Sequence, residues 1–150
     1  MRALLDINVL IALLDAQHIH HRLASAWLEK HIDQGWSSCP LTQNGVIRIM
    51  SQPSYPNPLT STVIAERLTE ATATAWHQFW PDDISLLDTN ILNWGAVLGS
   101  RQITDCYLLA LAVHHQGRFV SFDRRINVGA VSSAEHEHLA IIEWSDGLQP

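Results

Sequence analysis

The sequence predicts an α/β fold built on a parallel sheet, and three observations predict it. Apolar runs alternate with helix-patterned segments along the chain, which is how successive βα units read. The first run, Arg2-Ala3-Leu4-Leu5, ends in Asp6 and passes after Asn8 into a second apolar run, Val9–Leu14, as a strand turning directly into a helix would. Acids also recur at junctions of this kind: Asp6 after the first run, Asp105 at the start of a later helix and Asp123 after a later strand. With 150 residues, of which 47% are apolar, the chain is expected to form one domain, 1–150, with a substantial core.

The elements follow in order. Arg2–Leu5 is the first strand and Ile7–Leu14 a short helix. His18-Ile19-His20-His21 opens a second helix, with Ile19, Leu23, Trp27 and Leu28 at helical spacing, and Gly35 ends it. Trp36–Cys39 is the second strand; Pro40-Leu41-Thr42 turns the chain, and a third helix runs from about Gln43 to Met50. The proline-rich stretch Pro53–Pro58 is a loop. A fourth helix places Ile64, Leu68, Ala71, Ala75 and Phe79 on one face until Pro81 breaks it. Ile84–Leu87 is the expected third strand and Ile91–Leu98 a weaker helix. Thr104 caps a strong helix with Leu108, Leu109, Ala112 and Val113 inward, and Gly117 ends it. Phe119–Phe122 is the fourth strand and Ala140–Glu143 the fifth, at an edge.

Composition narrows the function. The formal charge is −6, so no general basic footprint for nucleic acid is present. A bound divalent cation reverses the local field, however, so an acidic chain can still act on nucleic acid. Cys39 and Cys106 belong to no CxxC pair and read as reduced, buried residues. No unbroken apolar run approaches the ~20 residues that span a bilayer. Asp6 and Asn8 interrupt the stretch that would otherwise resemble a signal peptide. A soluble, cytoplasmic protein with no membrane contact is expected. The six Trp are expected mainly in the core.

The three acids carry the chemical argument. Each has an ordinary explanation when taken alone. Asp6 can cap the next helix, Asp105 suits a first helical turn, and Asp123 before Arg124-Arg125 can be a turn aspartate. Open α/β sheets nevertheless place ligands beyond the carboxyl ends of their strands, and all three acids belong at that rim. Converging carboxylates raise one another's pKa unless a cation lies between them. An all-oxygen donor set without His or Cys points to Mg²⁺, with Mn²⁺ as a substitute, and not to Zn²⁺. Such a site activates water and neutralises charge in phosphodiester hydrolysis. Arg48, Arg101, Arg124 and Arg125 could contact RNA phosphates, or equally pair with nearby acids. His18, His20, His21 and His31 lack the spacing of a closed metal site and read as a solvated face. Glu135-His136-Glu137-His138 reads as an exposed turn.

Leu4-Leu5-Asp6-Ile7-Asn8-Val9-Leu10, Ile103-Thr104-Asp105-Cys106-Tyr107-Leu108-Leu109-Ala110 and Val120-Ser121-Phe122-Asp123-Arg124 resemble the three acidic motifs of PIN-domain ribonucleases. More narrowly, the chain is similar to VapC toxins of type II toxin–antitoxin pairs. Ser38–Arg48 and His77–Asp83 are similar to further stretches of one VapC subgroup, and the likeness spans roughly residues 2–145. The resemblance implies a three-layer α/β/α fold with a five-stranded parallel sheet in the order 3-2-1-4-5. It also implies a Mg²⁺-dependent endoribonuclease with Asp6, Asp105 and Asp123 as metal ligands, an RNA substrate, a VapB-like antitoxin and a homodimer. Where most of the family carries a Glu three residues before the position of Arg48, this chain has Gly45, with Asn44 beside it to supply a neutral oxygen. Asn8 and Ser121 either orient the site or act as local caps. The departure at Gly45 opens a second reading, a PIN-like module that binds antitoxin or RNA without efficient cleavage. An aspartyl-phosphate enzyme is disfavoured, because Asn8 stands where a second Asp is needed and the only Lys, Lys30, lies far from the later motifs.

Overall fold

The computed structural model describes residues 1–144; positions 145–150 of the expected domain lie outside the described residues. Five parallel strands form one sheet: β1 (Ala3–Leu5), β2 (Trp36–Ser38), β3 (His77–Phe79), β4 (Arg118–Ser121) and β5 (Leu139–Ile141), in the order β3-β2-β1-β4-β5. Helices α1 (Ile7–Leu14), α2 (His21–His31), α3 (Pro40–Met50), α4 (Ser61–Thr72) and α5 (Ile103–His114) connect and cover it. Parallel strands need such crossovers, and the crossovers leave both faces of the central strands dry.

Strand alternation divides the core in two. Leu5 and Val120 join Val9, Leu10, Val46 and Ile64 beneath α1, α3 and α4, while Leu4 and Phe119 join Leu108, Leu109 and Leu111 of α5 on the opposite face. Leu4, Leu5, Phe119 and Val120 are all fully buried, which is why these two strands read as continuous apolar runs. The Pro-rich loop is held to the end of α1 by the Tyr55 hydroxyl, which donates to Asp15 at 2.5 Å.

Four expectations are corrected. The third strand is His77–Phe79 and not Ile84–Leu87. β3 is an edge strand with Gln78 and Phe79 exposed, and its hydrogen-bonded register with β2 defines it more than any apolar run of its own. Ile84 and Leu86 instead pack as loop residues against the α5 core, and Leu87 is exposed. Helix α4 ends at Thr72, so Ala75 and Phe79 share its period by coincidence. The segment Ile91–Leu98 is no helix: Leu92 bridges Val131, Asn93 donates its N–H to the Ala130 carbonyl, and only a 3₁₀ turn, Trp94–Ala96, follows. Backbone pairing with the later chain has outcompeted local helix formation there. Thr104 is not a cap, because α5 starts at Ile103 after a 3₁₀ turn over Ser100–Gln102.

Smaller differences follow. Pro40-Leu41-Thr42 is the first turn of α3, with Pro at its first position, where the missing N–H costs nothing. Only Trp36 and Trp80 are buried; Trp76 and Trp94 are exposed. Gly35 adopts φ +76°, a conformation that favours glycine, between the 3₁₀ turn after α2 and β2.

Candidate metal centre at the carboxyl edge of the sheet

β1 and β4 lie side by side in register Leu5↔Val120, so the residues just past them, Asp6 and Ser121–Asp123, meet at one edge of the sheet. The chain enters both α1 and α5 at this edge, and the strand order reverses here between β1 and β4, where open α/β sheets bind ligands. The buried Asp6 carries two functions at once. Its Oδ1 accepts the Ile7 N–H at 2.7 Å, capping α1, and its Oδ2 accepts the Ser121 hydroxyl at 2.5 Å. Burial pushes the Asp6 carboxyl above its ordinary range; the bonds from Ser121 and Ile7 oppose this, and the charge of Asp123 adds to it.

Ser121 is the hub of the cluster. Its fully buried Oγ donates to Asp6 and accepts from the Asp123 N–H at 3.1 Å and from Asn8 Nδ2 at 3.4 Å. Asn8 Oδ1 is buried and has no hydrogen-bond partner. A buried carbonyl oxygen of this kind calls for a donor or a cation that the described residues do not supply.

Asp105 stands in the first turn of α5, half-buried. Desolvation pushes its carboxyl up to about 6, and the negative charges of Asp6 and Asp123 push in the same direction. The three acids are thus close enough to repel. Asp123 differs: its bidentate pair with Arg125, at 3.0 and 2.9 Å, holds its carboxyl below the ordinary range against a smaller effect of burial. A cleft of about 340 Å³ opens on this rim, lined by Asp105, Asp123, Arg125 and Arg101 together with Ser100 and Gln102.

The remaining candidates stand further out. Asn44 lies on the exposed side of α3 and Arg48 is exposed one turn later. Neither forms a side-chain hydrogen bond to the three acids. Arg124 is spent on Glu143, at 3.0 Å. Gly45 is buried against α1, and a Cβ there would overlap Ile7, approaching its Cγ1 at 2.8 Å. A side chain at this position has to displace Ile7, because this is where α3 and α1 touch. The histidines of the N-terminal segment are not simply a solvated face either. His21 and His31 bond the Ala12 and Trp27 carbonyls at 2.7 Å, and His20 packs on Phe122. Of the wall formed by Leu98–Gln102, the sequence singles out Arg101 alone, and Leu98 is expected at the end of a helix. Gly99 just before Ser100 was the one available hint of a loop.

The pattern of the PIN domain family matches residues 3–131. Ribonuclease VapC44 of Mycobacterium tuberculosis is 48% identical over 142 residues, covering 95% of this chain and 100% of that protein. Ribonuclease VapC39 of the same organism is 43% identical over 124 residues, 82% of this chain and 89% of its own. Ribonuclease VapC29 is 37% identical over 123 residues, 82% and 86% of the two chains.

Proposed function

This chain belongs to the PIN-domain family, within its VapC ribonuclease group, and we propose that it is the toxin of a type II toxin–antitoxin pair, an endoribonuclease whose acidic rim holds Mg²⁺. The convergence of Asp6, Asp105 and Asp123 on one edge of the sheet is the observation that carries this reading. The donor set fits a hard cation. It is all oxygen, it includes a buried and unpartnered Asn8 Oδ1, and Asp105 carries a penalty for its charge that a cation would remove. Mn²⁺ substitutes for Mg²⁺ at such ligands. When bound, the ion activates a water for attack on the phosphodiester and neutralises the charge that develops on phosphate.

The chain's own residues have separable tasks. Asp6 and Asp105 would hold the ion, and Asp123, now paired with Arg125, would be the third carboxylate at the same edge. Ser121 fixes the rotamer of Asp6 and opposes the rise that burial imposes on its carboxyl. Arg101 and Arg125, at the cleft wall, hold RNA phosphates. Asn44 assists as a neutral oxygen above the rim, and Arg48 contacts the RNA backbone beyond it. Arg124 serves by anchoring the loop after β4 to Glu143. A VapB-like antitoxin, a homodimer and a cytoplasmic setting complete the proposal. No helix of the described residues is long and apolar enough to cross a membrane. The relatives carry the name ribonuclease, and no observation favours a module that binds without cutting.

The test is cleavage of a mixed RNA pool by antitoxin-free protein in Mg²⁺, Mn²⁺ or chelator. Cleavage confined to the metal-containing reactions is expected; cleavage that chelator leaves untouched would overturn the assignment. A second experiment addresses Ser121. Removing its hydroxyl in Ser121→Ala leaves Asp6 without the bond that favours its ionised form, so the carboxyl rises further. Cleavage should fall by roughly 10- to 100-fold, the cost of losing a residue that orients a metal ligand. The acid limb of the pH–rate profile should also move to higher pH. An unmoved limb would reduce Ser121 to a packing residue.

A further inference from the structure

The acidic rim is not the only place where metal-ligating side chains meet. Helix α5 carries Asp105 in its first turn and ends in His114, followed by His115. Nine residues of helix set these two ends about 14 Å apart at 1.5 Å per residue. Asp83, in the chain that follows β3, reaches the far end: its Oδ1 lies 2.9 Å from His115 Nε2 and its Oδ2 lies 3.5 Å from His114 Nε2. One ligand atom from each of the three residues falls within 4.8 Å of the others. We propose that His114, His115 and Asp83 form a second metal site, selective for a transition ion of the Zn²⁺ class and independent of the acidic rim.

Five observations support it. Ligand atoms held tetrahedrally at about 2.0–2.1 Å from Zn²⁺ stand roughly 3.3 Å apart, and each histidine lies near that distance from one of the two Asp83 oxygens. Two imidazoles and a carboxylate are the donors of an open zinc site and poor ones for Mg²⁺. Adjacent residues in a continuous helix point about 100° apart. These two histidines converge because His115 has already left the helix, at φ −89°, ψ 13°. One ligand is also fixed before any ion arrives: the His115 ring stacks at 4.7 Å and 13° on the buried Trp80. The two histidines stand at the C-terminal end of α5, the end of a helix that favours a cation.

The ion would join the end of α5 to the segment leaving β3. The neighbouring Asp82 accepts the Leu41 N–H in the first turn of α3, so the staple would reach three elements. A fourth position stays open to solvent or to a ligand from another molecule.

Calorimetry with Zn²⁺ on the untagged full chain tests this, with Asp105→Asn, His114→Ala and Asp83→Asn alongside. One Zn²⁺ per chain should bind with micromolar affinity, persist in Asp105→Asn, and weaken by roughly tenfold or more in His114→Ala and in Asp83→Asn. Unfolding temperatures measured in chelator check that the variants fold. Added Zn²⁺ should raise the melting temperature of the wild type and not that of His114→Ala. Binding lost in Asp105→Asn would place the ion on the rim. Binding unchanged in His114→Ala would place it on other histidines. Either result, or no binding at all, overturns the proposal, and none of them bears on RNA cleavage.

Discussion

Asp105→Asn is expected to abolish RNA cleavage while making the metal-free protein more stable. The two effects come from one cause. Burial and the charges of Asp6 and Asp123 raise the Asp105 carboxyl from 3.8 to about 6 in the folded state. A raised acid binds its proton more tightly when folded than when unfolded. The folded state is therefore unpenalised below pH 4, loses stability as pH rises between about 4 and 6, and bears the full cost above that. Two pK units amount nominally to about 3 kcal/mol. Solvent screening at a half-buried carboxyl reduces this to roughly 1–2 kcal/mol. The neutral Asn removes that cost, so the variant should melt roughly 2–6 °C higher than wild type at pH 7.5 in chelator. The gain should be smaller at pH 4.5 and vanish below about pH 4, where Asp105 is protonated in both the folded and the unfolded state. Loss of a direct ligand should cost more than roughly a hundredfold in cleavage, beyond the usual cost of removing an orienting partner. Thermal melts at the two pH values, with and without Mn²⁺, check the stability effect, and the RNA assay checks the other. A variant that cuts like wild type, or that is no more stable at pH 7.5, would place Asp105 outside a shared carboxylate cluster.

Gly45→Glu should be the most damaging single change at the α1–α3 contact. Restoring the acid that the family pattern favours would seem to repair the site, but the new Cβ overlaps Ile7, and the carboxylate behind it would be buried against an apolar side chain. Overpacking costs about 1–3 kcal/mol, and an unpaired buried charge adds to it. A total of about 3 kcal/mol or more should lower the melting temperature by roughly 6 °C or more. Cleavage should fall with the folded fraction instead of rising. Asn44→Glu makes the contrast. The position is exposed, so stability should stay within about 0.5 kcal/mol. The added negative charge should tighten Mn²⁺ binding several-fold, read by calorimetry. If Gly45→Glu were as stable as wild type and more active, the packing account of Gly45 would be wrong. If Asn44→Glu left metal binding unchanged, Asn44 would lie outside the site.

The legible and illegible parts of this chain divide along physical lines. β1, β4 and α5 were readable because they are buried on both faces or for most of their length, and burial writes itself into composition. β3 was not, because an edge strand with one exposed face needs little hydrophobicity of its own and takes its identity from the strand it pairs with. The false helix at Ile91–Leu98 failed for a related reason: the bridge between Leu92 and Val131 joins residues that no local window contains. Asp6 and Asp123 could be found at strand ends, and Asp105 at a helix start. That Ser121 ties Asp6 to Asp123, and that Arg125 clamps Asp123, could not be foreseen with the same assurance, since rotamers and hydrogen bonds depend on neighbours in space.

By itself the sequence determined the class of fold, the order of its main elements and the three acids that belong at one edge, because period, burial and chain-end chemistry are local properties. The tertiary structure alone decided how charged that edge is, which acid bears the cost of ionisation, why Gly45 must stay small, and where His114, His115 and Asp83 meet. Each of these depends on distances between residues far apart in the chain, and only the crossovers that lay five strands in parallel set those distances.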